Sequence, residues 1–187
     1  LLNLFRDQLD RYGEIDRIQE AIVKALTLSP DTILIYNADD PLCAIVAGQV
    51  ANQTIAFGVD EDMHLPQNTV SDAQMCQKCS GMFTYEYRQY GQLGKYICSN
   101  CGFTRPNLDY VAKSIELKHG ASFDVEGRSS VAGEAMSSTG LSKKMSIKDG
   151  TPDKVSVSVS VTQPGAYVVY NMLATYLAAH FLGVSNK

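Results

Sequence analysis

Two short cysteine pairs constrain this chain more than any other feature: Cys76 with Cys79, and Cys98 with Cys101, with eighteen residues between the pairs. Each Cys-x-x-Cys unit closes a tight knuckle that aims two sulfurs at one point. The intervening segment then brings the second knuckle opposite the first. This is the spacing of a tetrahedral zinc ribbon. Four thiolates satisfy Zn²⁺ completely and leave no open position, so such a site organises a fold and performs no chemistry. A single Cys-x-x-Cys can also mark a redox-active thiol, but two pairs together point to metal. The predicted ligands of a structural zinc are therefore Cys76, Cys79, Cys98 and Cys101, in a module covering about residues 71–110. The fifth cysteine, Cys43, lies in the apolar stretch Leu42–Val46 and is expected to be a small buried residue.

The rest of the chain is long enough for one domain with a sizeable core: 187 residues, 45% apolar and 19% charged. A net charge of −4 argues against a broadly basic surface for nucleic acid. No apolar run approaches the roughly 20 residues needed to span a bilayer, and no basic segment followed by an apolar one opens the chain. Five cysteines, four of them at metal spacing, suit a reducing cytoplasm better than a disulfide framework. The chain opens on Leu1 within an apolar stretch, without an initiator Met, which suggests a segment of a longer protein.

Ile15, Ile18, Ile22 and Leu26, with Ala21 and Ala25, recur at three- and four-residue steps and predict an amphipathic helix that Pro30 and Asp31 end. A short buried strand should follow from Thr32 to Tyr36, delivering Asn37, Asp39 and Asp40 into a loop. Ligand groups gather at the carboxyl ends of strands in parallel α/β sheets, although Asn and Asp here also suit a turn and a helix N-cap. A second helix over Pro41–Ala51 and a strand over Thr54–Val59 continue an α/β rhythm, and residues 60–70 form a polar loop. Within the cysteine module, Gly81 and Gly102 should permit the reversal beyond each knuckle. Tyr85, Tyr87, Tyr90 and Tyr96 should supply the core of a small hairpin. Beyond it, Ser114–Lys118 and Ala121–Val125 pair as a hairpin around His119 and Gly120, and 127–153 is a Ser-, Gly- and Lys-rich loop. Val155, Val157, Val159 and Val161 alternate with serines and predict a strand with one buried face. Pro164 and Gly165 then turn the chain into a helix over Val168–Leu182. His64, His119 and His180 have no catalytic or metal-binding arrangement around them, and no G-x-x-x-x-G-K-[ST] phosphate loop occurs.

Several segments are recognisable in order: NLFRDQLDRYGEID at 3–16, YNADDP at 36–41, the cysteine module with YGQLGKYICSNCGFTRPNLDY, and PGAYVVYNMLA at 164–174. Together they resemble the MurT family, the Mur ligase-like subunits of lipid II isoglutaminyl synthase. The first, second and last look like landmarks of the Mur ligase ATP-binding central domain, and the cysteine module like the zinc ribbon peculiar to MurT. The resemblance implies an α/β fold: a partial central domain (residues 1–70 and 111–187) with an inserted four-cysteine zinc ribbon (71–110). It implies an ATP-dependent carbon–nitrogen ligase in which a glutamine amidotransferase partner, GatD, supplies ammonia. The α-carboxyl of D-glutamate in the lipid II stem peptide would be amidated through an acyl phosphate at the inner face of the membrane, in peptidoglycan biosynthesis. It further assigns Asn37, Asp39, Asp40 and Asn171 to ATP, with Mg²⁺ as the companion ion. Two positions depart from the family pattern. Gln8, between Asp7 and Asp10, stands where the family has a His that helps bind a metal ion. Val168 stands where it has the first of two adenine-binding asparagines. The phosphate loop is expected upstream of Leu1 and the partner-docking domain after Lys187, so this segment alone should not turn over ATP. The alternative is a non-catalytic zinc-ribbon module that binds protein or nucleic acid, with Arg88, Lys95 and Arg105 as its positive charge.

Overall fold

A computed structural model describes residues 1–5, 15–66, 75–127 and 156–184. Helix α1 (Ile15–Thr27) is the amphipathic helix predicted, and it ends three residues before Pro30. Its inward stripe is rotated from the one expected. Gln19 and Val23 join Ile15, Ile18, Ile22 and Leu26 on the packed side, and Ala21 and Ala25 face solvent. Gln19 Nε2 satisfies its buried amide by donating to Leu42 O at 3.0 Å. Strand β1 (Leu34–Asn37) is followed by α2 (Pro41–Ala47), which is shorter than predicted. Gly48 occupies its C-cap and donates to Ala44 O, and glycine's poor helix propensity ends the helix there. Strand β2 (Thr54–Val59) has the predicted bounds.

The ribbon hairpin, β3 (Phe83–Arg88) and β4 (Gly94–Cys98), forms its own two-stranded sheet. Strands β5 (Tyr110–Glu116), β6 (Ala121–Gly127) and β7 (Ser156–Val161) return to the main sheet, whose order is β1-β2-β5-β6-β7. The pairs β1–β2 and β2–β5 are parallel, and β5–β6 and β6–β7 antiparallel. Parallel neighbours require a long crossover. Between β2 and β5 the ribbon takes that place in the chain. Val157, Val159 and Val161 lie half-buried on one side of β7 while Ser158 and Ser160 are exposed, as the alternation predicts. Helix α3 (Ala166–Phe181) starts two residues earlier than expected because Gly165, with φ of 119°, is its N-cap. Gln8 with its flanking acids, Val155 and the 128–153 part of the Ser/Gly/Lys-rich segment lie outside the described residues.

The two faces of the sheet carry separate cores. Leu34, Tyr36, Ala56 and Val111 pack under α1 and α2. Phe57, Val59, Ala112, Phe123 and Val125 pack under α3 through Val168, Val169, Leu173 and Leu177. Helices thus cover both faces, as a sheet with a parallel half demands. The ribbon joins both cores at the carboxyl ends of β1 and β2: Phe83, Tyr96 and Leu108 belong to the first, Leu93 and Tyr90 to the second.

Candidate functional site

The four cysteines converge as predicted. Their sulfurs all lie within 4.8 Å of one another, with Cys76–Cys101 at 3.7 Å and Cys79–Cys98 at 3.4 Å. Zinc–thiolate bonds of about 2.3 Å in a tetrahedron place sulfurs about 3.8 Å apart, so this donor set fits Zn²⁺. All five cysteines of the chain are free thiols. Gly102 has φ of 72° and permits the second reversal, but in the first knuckle the left-handed residue is Ser80, at 59°. Gly81 serves through its size: a Cβ there would stand 2.6 Å from Asn100 Cβ and 3.1 Å from Cys98 Sγ. Its N–H donates to Cys79 Sγ at 3.4 Å, and that bond, with Asn100, draws the Cys79 thiol down to about 6. Burial pushes Cys76 the other way, to about 12. A metal ion removes this conflict by taking all four as thiolates.

The ribbon's tyrosines are engaged by the protein, some within the ribbon and some outside it. Tyr96 is 1% exposed and meets Phe83 edge-on at 5.2 Å and Phe103 at 5.8 Å. Tyr87 and Tyr90, expected in the ribbon's own core, instead reach the parent domain: Tyr87 Oη donates to Val59 O at 2.9 Å, and Tyr90 packs edge-on against Tyr170 of α3. Ribbon docking at the sheet edge is a tertiary event, and residue spacing carries no trace of it. The cations are engaged too, Lys95 with Glu86 at 2.6 Å and Arg88 Nε with Gly91 O at 2.6 Å.

Beneath the docked ribbon lies the acidic loop. Asn37, Asp39 and Asp40 are all 0% exposed. Asp40 is the N-cap of α2, accepting from Leu42 N at 2.9 Å, and its second oxygen accepts from Leu4 N at 2.9 Å. The buried Cys43 thiol donates to that second oxygen at 3.6 Å. Burial pushes the Asp40 carboxyl up to about 6 against these donors. Asn37 Oδ1 accepts from Asp39 N at 3.0 Å, and its Nδ2 has no partner among the described residues.

Asp39 is where four parts of the molecule meet. Its Oδ2 accepts from Val59 N of β2 at 2.9 Å and from Tyr170 Oη of α3 at 2.7 Å. Its Oδ1 accepts from Arg105 Nη1 at 3.0 Å, and its backbone O accepts from Gly94 N of β4 at 3.0 Å. Arg105 also donates to Val59 O, to Tyr87 Oη and, through Nη2, to Asp60 Oδ1 at 2.9 Å. The Arg105 side chain is 7% exposed. Burial raises the pKa of Asp39, the guanidinium and its other donors oppose that rise, and the two carboxylates tighten the proton on Arg105. Gly58 makes room for this carboxylate, since a Cβ there would lie 2.5 Å from Asp39 Oδ1.

The four residues assigned to ATP therefore sit differently. Asn37, Asp39 and Asp40 form a buried joint whose carboxylate oxygens are occupied by protein donors. Asn171, one residue beyond Tyr170, is exposed. Val168 is 5% exposed and packs into the core under α3. His180 packs in an aromatic cluster, stacked on Tyr176 at 5.9 Å. Arg105, which the sequence presents only as surface charge, is the residue that reasoning missed. A run of two acids at a strand end, buried, requires a cation from somewhere; which cation lies 66 residues away in sequence is set by the fold.

No protein-family model matches the chain. Among proteins of known name, it is 30% identical over 191 residues to the MurT subunit of lipid II isoglutaminyl synthase (glutamine-hydrolyzing) of Streptococcus pneumoniae, which covers 100% of the chain and 36% of that protein. The MurT subunit of Staphylococcus aureus (strain COL) is 34% identical over 117 residues, 62% of the chain and 26% of that protein. Among solved structures, a pseudomurein peptide ligase type C from Methanothermus fervidus superposes with a TM-score of 0.67 at 24% identity, covering 98% of the chain and 30% of the ligase, a likeness of fold. The chain spans about a third of the length of the pneumococcal relative.

Proposed function

This chain is a MurT-like segment with a Mur ligase-type α/β fold, and from that kinship we propose that the full-length protein is the ATP-dependent subunit of a lipid II amidating ligase. Its reaction converts the α-carboxyl of D-glutamate in the stem peptide to the amide of D-isoglutamine. A carboxylate is a poor electrophile. One of its oxygens therefore attacks the γ-phosphorus of ATP, releasing ADP and giving an acyl phosphate. Ammonia, released from glutamine by an amidotransferase partner of the GatD type, attacks the carbonyl carbon and expels inorganic phosphate. Mg²⁺ and positive donors offset the charge of the transferring phosphoryl group. The observation that carries this reading is the match along the whole chain to MurT, whose name describes a glutamine-hydrolysing isoglutaminyl synthase.

In this reading, residues 1–70 and 111–187 are parts of the nucleotide-binding central domain and 71–110 is its zinc-ribbon insertion. Asn171 is the candidate for direct contact with the nucleotide, since its side chain is exposed in the second turn of α3. Asn37, Asp39 and Asp40 serve that site by fixing the loop after β1, because their polar atoms face inward. Cys76, Cys79, Cys98 and Cys101 hold a structural Zn²⁺. The enzyme works in the cytoplasm, at the membrane face where lipid II is presented; no helix among the described residues is long and apolar enough to cross a bilayer. The nucleic-acid alternative loses support from the ribbon itself, whose tyrosines pack inward and whose Arg105 is buried.

Reconstitution tests the proposal. The full-length protein, its amidotransferase partner, lipid II, ATP, Mg²⁺ and glutamine are combined, and mass spectrometry follows replacement of a carboxyl hydroxyl by an amide nitrogen. Amidation that requires both ATP and glutamine is the expected result. An unchanged stem peptide, with both subunits folded and zinc-loaded, would overturn it.

A further inference from the structure

We propose that the zinc ribbon is a conformational clamp on the core: metal binding at the four cysteines is thermodynamically coupled to the seating of α3, through a relay from Arg105 to Asp39 to Tyr170. Arg105 is the positioning residue of this relay and touches no reacting group.

The metal end of the relay is anchored by backbone. Cys98 N donates to Phe103 O, Gly102 N to Cys98 O and Arg105 N to Tyr96 O, so residues 102–105 are zipped onto β4 directly beside a metal ligand. Thr104 Oγ1 adds a bond to Tyr96 O at 2.8 Å. The course of this segment is thus fixed by the knuckle that Cys98 and Cys101 close around the metal. From it the Arg105 side chain enters the parent domain and bridges Asp39 and Asp60. The far end is α3, where Tyr170, 1% exposed, delivers its hydroxyl to the other oxygen of Asp39.

Three properties make this a relay and not a set of adjacent contacts. Asp39 is 0% exposed with Arg105 and Tyr170 in place, so in the docked state its oxygens are held by protein donors and not by bulk water. A buried carboxylate that loses its guanidinium is strongly disfavoured, so displacement of Arg105 must be answered by movement of Asp39 or of its remaining donors. Tyr170 and Arg105 each donate to one oxygen of that carboxylate, so Asp39 is the hydrogen-bonded link between them; the edge-on contact of Tyr90 with the Tyr170 ring joins ribbon and α3 separately, and Tyr170→Phe leaves it in place. Coupling of this kind is reciprocal: if the metal steadies α3, the Tyr170 hydroxyl must steady the metal. The proposal stands on contacts within this chain and is independent of the ligase reading.

Reciprocity supplies the test. Zinc bound by the full-length protein is titrated against a chromophoric chelator in the wild type, Tyr170→Phe, Arg105→Gln and the double variant. Each single substitution should weaken zinc binding by about 5-fold or more, the lower end of ordinary coupling between sites. The double variant should be no weaker than Arg105→Gln alone, because the relay is already cut. Leu173→Ala separates coupling from general loosening. Leu173 is buried on the same helix, 0% exposed, and its apolar side chain makes none of the relay's hydrogen bonds; its truncation should lower the melting temperature and leave zinc affinity within about 2-fold of wild type, well inside the coupling expected of the relay. The proposal is overturned if Tyr170→Phe binds zinc as the wild type does, if the two single effects simply add, or if Leu173→Ala weakens zinc as much as Tyr170→Phe.

Discussion

Asp39 and Asp40 are neighbours with the same side chain and opposite partners. Asp39 has a cation, Arg105 at 3.0 Å; Asp40 is held by neutral donors at Leu4, Leu42, Cys43 and Gln92. Burial raises the Asp40 carboxyl and its neutral donors recover only part of that cost, so it is pushed up to about 6 from 3.8. The folded protein therefore binds the Asp40 proton more tightly than the unfolded chain does. Between those two values the native state carries more protons, so stability from this residue falls as pH rises through the window and is greatest below it. The shift amounts to about 3 kcal/mol. Thermal melts should show the wild type gaining about 2 kcal/mol of this relative to Asp40→Asn as pH falls from about 6.5 to about 4, with the rest appearing only below the unfolded value; parallel curves for the two proteins would contradict the assignment. The sequence announces these acids and even the N-cap of α2, since Asp before Pro is a helix start. It places Asn37 just after a strand ending at Tyr36, whereas Asn37 is the last residue of β1. It does not announce burial, because burial of the loop comes from the ribbon lying over it.

The ribbon is the element in which sequence and structure agree most closely, and the reason is covalent. Two knuckles around one ion have almost no alternative geometry, so spacing alone places four sulfurs together. Apolar periodicity located α1 equally well but not its facing, because which flank of the stripe packs depends on where Leu42 and its neighbours lie. The existence of the β5–β6 hairpin and the alternating valines of β7 were legible for the same reason, being local in sequence, although β5 begins at Tyr110, four residues before the predicted Ser114, and its register shifts at a bulge between Lys113 and Glu116. If the metal organises the ribbon, its removal should disorder residues from Cys76 to Cys101 and loosen everything zipped onto β4, since binding free energy in such sites is folding free energy. In the full-length protein, Cys76→Ser should lose zinc and melt at lower temperature. Full zinc content with an unchanged melting temperature in that variant would show that the cysteines do not form the site.

At the scale of the molecule, the parallel half of the sheet places the carboxyl ends of β1 and β2 at one edge, where ligands gather in open α/β sheets. The ribbon and the start of α3 meet at that edge, and Asp39 ties them together. The order of α and β segments was legible from pattern alone, and the family resemblance from four separated motifs read together. The docking of ribbon on sheet was not, because it depends on Tyr87, Gly94 and Arg105 finding partners far away in sequence. The ligase reading makes a claim about atoms that can be tested directly. If ATP activates the glutamate carboxylate as an acyl phosphate, one carboxylate oxygen must leave with the phosphate when ammonia attacks. Lipid II carrying ¹⁸O in the α-carboxyl of its D-glutamate, turned over by the full-length protein with its partner, ATP, Mg²⁺ and glutamine, should yield one labelled inorganic phosphate for each amide formed. Amide formation with unlabelled phosphate would contradict the acyl phosphate route, and the absence of any amide would contradict the ligase itself.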